Sequence, residues 1–308
     1  MSTNHPCSRQ ESRMKKLFFC CALFYAASIT ALAQTPTEAR HKPSPLIRDE
    51  VFHSSSLARD MHYRVLLPAG YEIGGRFPVL YLLHGLYGDY MNWDTRTRLE
   101  EYANDTSLLV VMPDADDSWY TNSATVPADK FEDYIVKDLI AEVDENFKTL
   151  RDRHSRGVAG LSMGGYASVK FGLKYPDLFA FAGSLSGALN AGDNLDSLQP
   201  EFRAKLLEVF GNEGSSTRTE NDVFRLLSMP HGGPLPYFYL ACGTADSFLD
   251  TNRSFAAELS SRALPYEYHE TPGEHSWDYW DRELHPLLGA VAHALHAKHS
   301  VAARNKVR

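Results

Sequence analysis

Gly160-Leu161-Ser162-Met163-Gly164 stands between an apolar run ending at Ala159 and a helical pattern that continues to Lys174. A serine placed at a sharp strand-to-helix turn needs glycine on both sides, because the strained backbone there leaves no room for a neighbouring Cβ. The string alone would arise by chance in about one chain in ten of this size. Its setting carries the reading, which is a nucleophilic serine raised at the end of a strand.

Working outward, short continuous apolar runs lie at Val79–Leu83 and at residues 108–112. Such runs suit strands covered by helices on both faces. Further strands are expected at residues 157–159, 179–185, 237–242 and 267–271. Apolar positions three and four apart predict helices over 131–147, 164–174, 251–263 and 277–297. Strands alternating with helices imply an α/β fold with a mostly parallel, doubly wound sheet. Two alternating segments, 50–55 and 62–67, precede it and predict antiparallel edge strands. Residues 187–236 hold helical pieces at 200–210 and 221–227 but no clear strand, so they are expected as a helical excursion above the sheet.

Serine is a weak nucleophile unless a base takes its proton, and the base needs an orienting carboxylate. In a fold of this type each comes from a turn after a strand, in the chain order serine, acid, histidine. His275 lies in Pro272-Gly273-Glu274-His275-Ser276-Trp277, after the strand at 267–271. Asp246 follows the strand at 237–242 in Gly243-Thr244-Ala245-Asp246. It is preferred to Asp250, which stands where a carboxylate would cap the helix at 251–263. The oxyanion of an acyl-transfer intermediate needs two backbone donors, each contributing about 3–4 kcal/mol. The elbow supplies Met163 N–H. Leu86 N–H is expected as the second, from Leu82-Leu83-His84-Gly85-Leu86-Tyr87-Gly88 at the end of an early strand.

The blocks Tyr81-Leu82-Leu83-His84-Gly85-Leu86, Met112-Pro113-Asp114, Gly160-Leu161-Ser162-Met163-Gly164-Gly165, Cys242-Gly243-Thr244-Ala245-Asp246 and Gly273-Glu274-His275-Ser276-Trp277 resemble the esterase D group of α/β-hydrolases. That group includes S-formylglutathione hydrolases, feruloyl and acetylxylan esterases, and mycolyltransferases. The resemblance covers residues 51–295. It implies an α/β-hydrolase fold and a serine esterase that needs no cofactor, with Ser162, Asp246 and His275 as the triad and Leu86 and Met163 as the oxyanion hole. It also implies that Ser118-Trp119-Tyr120 lies near the acyl or alcohol site, so Trp119 and Tyr120 are candidate substrate contacts. The same two rings equally suit packing beneath the excursion.

The 308 residues are 44% hydrophobic, 12% aromatic and 23% charged, which excludes a disordered or fibrous chain. With 31 basic against 39 acidic side chains, the net charge is −8. No basic block interleaved with aromatics appears, so nucleic acid is not an expected partner. Residues 14–33 run Met14-Lys15-Lys16, an apolar stretch, then Ala31-Leu32-Ala33, the order of a secretory signal peptide. Cleavage is expected after Ala33, giving a secreted or periplasmic protein without a membrane anchor, with a linker at 34–45, an esterase domain at 46–298 and a disordered basic tail at 299–308.

Three of the four cysteines lie in the first 21 residues, which leaves Cys242 as a thiol kept inert by burial. His293, His296 and His299 recur on the last helix. One helix alone cannot enclose a tetrahedral ion, so they are read as its solvated face, with no metal. The expected partner is a small-molecule or carbohydrate ester. The leader argues against a cytosolic S-formylglutathione hydrolase. Two rival readings are an acyltransferase of the mycolyltransferase kind and an inactive fold kept as a binding module.

Overall fold

A computed structural model describes residues 44–305, apart from 74, 194, 196 and 197. The expected signal peptide and the linker up to residue 43 lie outside the described residues. The sheet has eight strands: β1 Ile47–Ser54, β2 Arg59–Leu66, β3 Val79–Leu83, β4 Leu109–Pro113, β5 Arg156–Leu161, β6 Phe181–Leu185, β7 Tyr237–Gly243 and β8 Tyr266–Thr271. Their order across the sheet is β1-β2-β4-β3-β5-β6-β7-β8. β1 and β2 pair antiparallel, β2 meets β4 antiparallel, and every pairing from β4 through β8 is parallel.

Burial explains this division. β1 alternates exposed and covered positions, whereas every residue of β3, β4, β5 and β6 is buried. A parallel sheet needs cover on both faces, and two apolar clusters supply it. Val79, Tyr81 and Leu83 of β3 face one cluster, and Leu80 and Leu82 face the other, as the period of two requires. Over the first face pack α5 (Met163–Lys174) and α9 (Leu249–Ser261). Beneath the second lie α1 (Asn92–Arg96), α2 (Leu99–Ala103) and α10 (Trp277–Asn305).

The helix expected over 131–147 is not uniform. It opens with α3 (Phe131–Asp133), widens into a π-helical segment at Tyr134–Leu139 and closes as α4 (Ile140–Asn146). The wider turns bury Tyr134, Ile135, Val136 and Leu139 within one six-residue stretch. The excursion carries α6 (Pro200–Phe210), α7 (Ser216–Glu220) and α8 (Val223–Ser228), with no strand among its described residues. Leu206, Val209, Phe210, Val223 and Leu227 join the α5-side cluster, so the excursion is rooted in the core.

The helix expected over 277–297 is longer in the structure. The backbone of α10 continues to Asn305.

Candidate active site

Ser162 caps α5 with φ +52 and ψ −114, a backbone region that L residues avoid. Holding it there costs about 1–3 kcal/mol, offset by bonds on both sides. Ser162 N–H donates to Leu185 O on β6 at 2.9 Å, and its carbonyl accepts Tyr166 N–H at 3.0 Å and Ala188 N–H at 3.2 Å. The flanking glycines are required by contact. A Cβ on Gly160 would stand 2.6 Å from the Gly164 carbonyl carbon, and one on Gly164 would stand 2.5 Å from Leu83 O. The helix start is therefore pressed against the end of β3.

His275 reaches this serine from the loop between β8 and α10. Its Nε2 lies 3.0 Å from Ser162 Oγ, and its Nδ1 lies 2.9 Å from Asp246 Oδ2. A neutral imidazole has one N–H, and the carboxylate accepts only, so the network assigns that proton to Nδ1 and leaves Nε2 to accept from the hydroxyl. Burial alone would raise the Asp246 carboxyl. Hydrogen bonds from His275 and from Phe248 N–H instead hold it below the usual carboxylate range, the latter on Oδ1 at 2.9 Å. Asp250, the rival acid, sits in the first turn of α9 with its side chain 96% exposed beside Arg253.

The two loops carrying Asp246 and His275 are zipped together. Thr244 N–H donates to Thr271 O at 3.0 Å, and Ala245 N–H donates to Gly273 O at 2.9 Å. Glu283 on α10 accepts from Thr271 Oγ1 at 2.7 Å, and Arg282 donates to Pro272 O at 2.6 Å. Phe248 and Trp280 bracket the His275 ring edge-on, at centroid distances of 5.2 and 4.8 Å. The imidazole is thus confined in plane and position, with 30% of its side chain exposed.

The loop after β3 lies on the other side of Ser162, where a Cβ on Gly85 would come 3.5 Å from Ser162 Cβ. His84, which the sequence reading passed over, organises this loop. It is buried, its Nδ1 donates to Gly85 O at 2.8 Å, and its Nε2 accepts Ala115 N–H at 3.0 Å. Burial lowers its pKa, in keeping with a neutral ring. In a trans peptide the C=O and the following N–H point opposite ways. Fixing Gly85 O therefore fixes the direction of Leu86 N–H. Tyr87 is exposed and left-handed at φ +58, and its N–H is tied to Asp117 Oδ1 at 2.7 Å. Met163, first residue of α5, has an N–H of the kind a first helical turn leaves without an intrahelical acceptor.

Trp119 and Tyr120 lie in the packed interior. Tyr120 has no exposed surface for the expected substrate contact; its hydroxyl donates to His84 O at 3.1 Å. Trp119 is 5% exposed and packs edge-on against Tyr166 and Phe210. Trp119 thus packs beneath the excursion through Phe210, and Tyr120 against His84. His293 is exposed, while the side chains of His296 and His299 lie outside the described residues. Among the described residues no three His, Cys, Asp or Glu side chains gather as metal ligands do, and no helix is long and apolar enough to cross a membrane.

The strand order, the antiparallel edge and the serine elbow together define an α/β-hydrolase. A family model described as "Putative esterase" matches residues 54–291, and the chain belongs to that esterase family. It is 28% identical over 213 residues to an acetyl esterase of Caldicellulosiruptor saccharolyticus, covering 67% of this chain and 79% of that protein. It is 24% identical over 283 residues to the diacylglycerol acyltransferase/mycolyltransferase Ag85A of Mycobacterium ulcerans, covering 80% and 82%. Among solved structures, the substrate-bound fluorophosphonate-binding serine hydrolase F of Staphylococcus aureus superposes with a TM-score of 0.73 at 30% identity, over 80% of this chain and 98% of that one. The esterase relatives support a carboxylic ester hydrolase.

Proposed function

We propose that this chain is an exported serine esterase that hydrolyses carboxylic esters of small acyl groups or carbohydrates through an acyl-enzyme. The observation that carries the reading is the single imidazole bonded to Ser162 on one nitrogen and to buried Asp246 on the other. Ser162 Oγ attacks the ester carbonyl while its proton passes to His275 Nε2, and the carbonyl π electrons move to oxygen. Leu86 N–H and Met163 N–H receive that oxyanion. Collapse expels the alcohol, which leaves with the proton from His275. Water then attacks the acyl-enzyme, giving its proton to Nε2, and the acid departs as Ser162 recovers its hydrogen. Asp246 stabilises the imidazolium at both stages.

The test is hydrolysis of p-nitrophenyl acetate by the Ser162→Ala variant. A loss of about 10⁶-fold in kcat is expected, with fluorophosphonate labelling of the parent located on the Ser162 peptide. Parental turnover by the variant would discard the mechanism, and an unlabelled, folded parent would favour the binding-module reading. The resemblance to a mycolyltransferase supports a second reading, in which a sugar hydroxyl replaces water at deacylation. Product analysis with and without a sugar acceptor separates the two. Export rests on the leader, and N-terminal sequencing of the mature protein is expected to start at Gln34.

A further inference from the structure

Lys170 lies on α5, two turns beyond the elbow, and its side chain is completely buried. A buried cation is tolerated only when its donors are answered. Its Nζ faces Tyr120 O at 2.6 Å, Thr121 Oγ1 at 2.9 Å and Glu132 Oε2 at 3.1 Å. The hydroxyl hydrogen of Thr121 is already given to Trp119 O at 2.9 Å, so Oγ1 must accept from the lysine. Burial brings the Lys170 pKa down to about 7, with Glu132 opposing the fall, but three acceptors call for three N–H groups, which only the ammonium form has. Glu132 is itself anchored, by Lys174 Nζ and by Tyr175 OH, each at 2.5 Å. Burial alone would raise the Glu132 carboxyl, but Lys170 and Lys174 bring it down to about 2.

None of these charges touches Ser162 or takes part in the proposed proton transfers. What they hold is a strained turn. Trp119 and Tyr120 are consecutive left-handed residues, at φ +56 and +51, a conformation that bulky side chains adopt only when their surroundings impose it. The turn leaves the Tyr120 carbonyl on Lys170 and the Tyr120 hydroxyl on His84 O, with the two rings 5.6 Å apart. His84 in turn fixes Gly85 O and so the direction of Leu86 N–H.

We propose that Lys170 is a positioning residue for the oxyanion hole: anchored on Glu132, its ammonium holds the Trp119–Tyr120 turn so that Tyr120 and His84 keep Leu86 N–H aimed beside Ser162. α5 then references both donors. Met163 begins the helix, and Lys170 lies about 10 Å along it. The inference rests on the esterase mechanism proposed above and adds to it a residue remote from the reacting atoms.

The experiment compares Lys170→Met, Lys170→Gln, Tyr120→Phe and the Lys170→Met/Tyr120→Phe double variant. Turnover of p-nitrophenyl acetate is normalised to active sites titrated with a fluorophosphonate. The second readout is affinity for a trifluoromethyl ketone, whose tetrahedral adduct on Ser162 carries an oxyanion. Lys170→Met and Tyr120→Phe are each expected to lower kcat about 10- to 100-fold, since displacing one donor costs up to about 10³-fold, with KM within about twofold.

Ketone affinity should fall in parallel with kcat/KM. The double variant should lose no more than Lys170→Met alone, because both changes act on one path. Lys170→Gln, which keeps two donors, should fall between and serves if Lys170→Met does not fold. A merely structural lysine would lower Tm while leaving per-site turnover and ketone affinity unchanged. That result overturns the proposal, as does parental turnover in Tyr120→Phe. Activity retained by Ser162→Ala would instead remove the mechanism beneath it, so the two failures are distinguishable.

Discussion

On the β3–β4 side of Ser162 the loops are fixed from below by buried polar groups: His84 between Gly85 O and Ala115 N–H, Tyr120 on His84 O, Lys170 on Glu132. On the β7–β8 side the acid and base loops are joined mainly by backbone bonds, and their braces Arg282 and Arg253 are about half exposed. The proposed chemistry accounts for the difference. Donors aimed at a developing oxyanion are worth most when they need no reorganisation. An imidazole must shift its proton bonding between serine, leaving group and water, and a partly open bracket allows this.

The comparison is broken most severely at the groups both sides serve. After Ser162→Ala, the next largest effect is expected for Asp246→Asn, which keeps the shape of the acid but favours the wrong imidazole tautomer. Its kcat should fall about 10⁴-fold with little change in KM, measured by steady-state hydrolysis. Gly164→Ala should destabilise the fold by more than about 3 kcal/mol, because its Cβ would lie 2.5 Å from Leu83 O in the buried seam between β3 and α5. Urea unfolding measures that loss, and a variant as stable as the parent would show that the seam can open.

Acid sharpens the contrast. The buried His84 has its pKa lowered from 6.5, so the folded state resists its protonation and stability falls as pH drops below 6.5. Glu132 is brought from 4.5 to about 2, so the stability it adds is complete above 4.5 and disappears as pH falls toward 2. Unfolding curves between pH 8 and pH 3 should therefore decline in two stages, and Glu132→Gln should lack the lower decline attributable to that carboxylate. The smallest effect is expected at the rim. Arg253→Ala removes a surface pair with Glu270 at 2.7 Å and should leave both the urea midpoint and kcat essentially unchanged.

Much of this site was legible because its signals are local. β3 is bounded as the apolar run Val79–Leu83 predicts, and Ser162, Asp246 and His275 each follow a strand that hydrophobic runs and turn residues mark. The structure brings those three within hydrogen-bond reach. What could not be read depends on partners far apart in the chain. Tyr120 meets His84 across 36 residues and Lys170 meets Tyr120 across 50, and no periodicity records such pairs.

A lysine at position 170 fits the helical pattern as an ordinary surface residue would, yet it is enclosed because the Trp119–Tyr120 turn crosses above it. Short α1, α2 and α7 have only five residues each, too few to show a helical period. The π-helical segment lies inside the helix that the spacing over 131–147 predicts, and that spacing does not distinguish its wider turns.

Cys242 is the penultimate residue of β7, before the Asp246 loop, fully buried and in no disulfide, its thiol pushed up to about 12 by burial and the nearby Asp246 charge. A sulfur kept neutral and out of reach ignores oxidants and alkylating reagents while the sheet is closed. Its labelling rate then becomes an internal clock for opening of β7, available without adding a probe to the molecule.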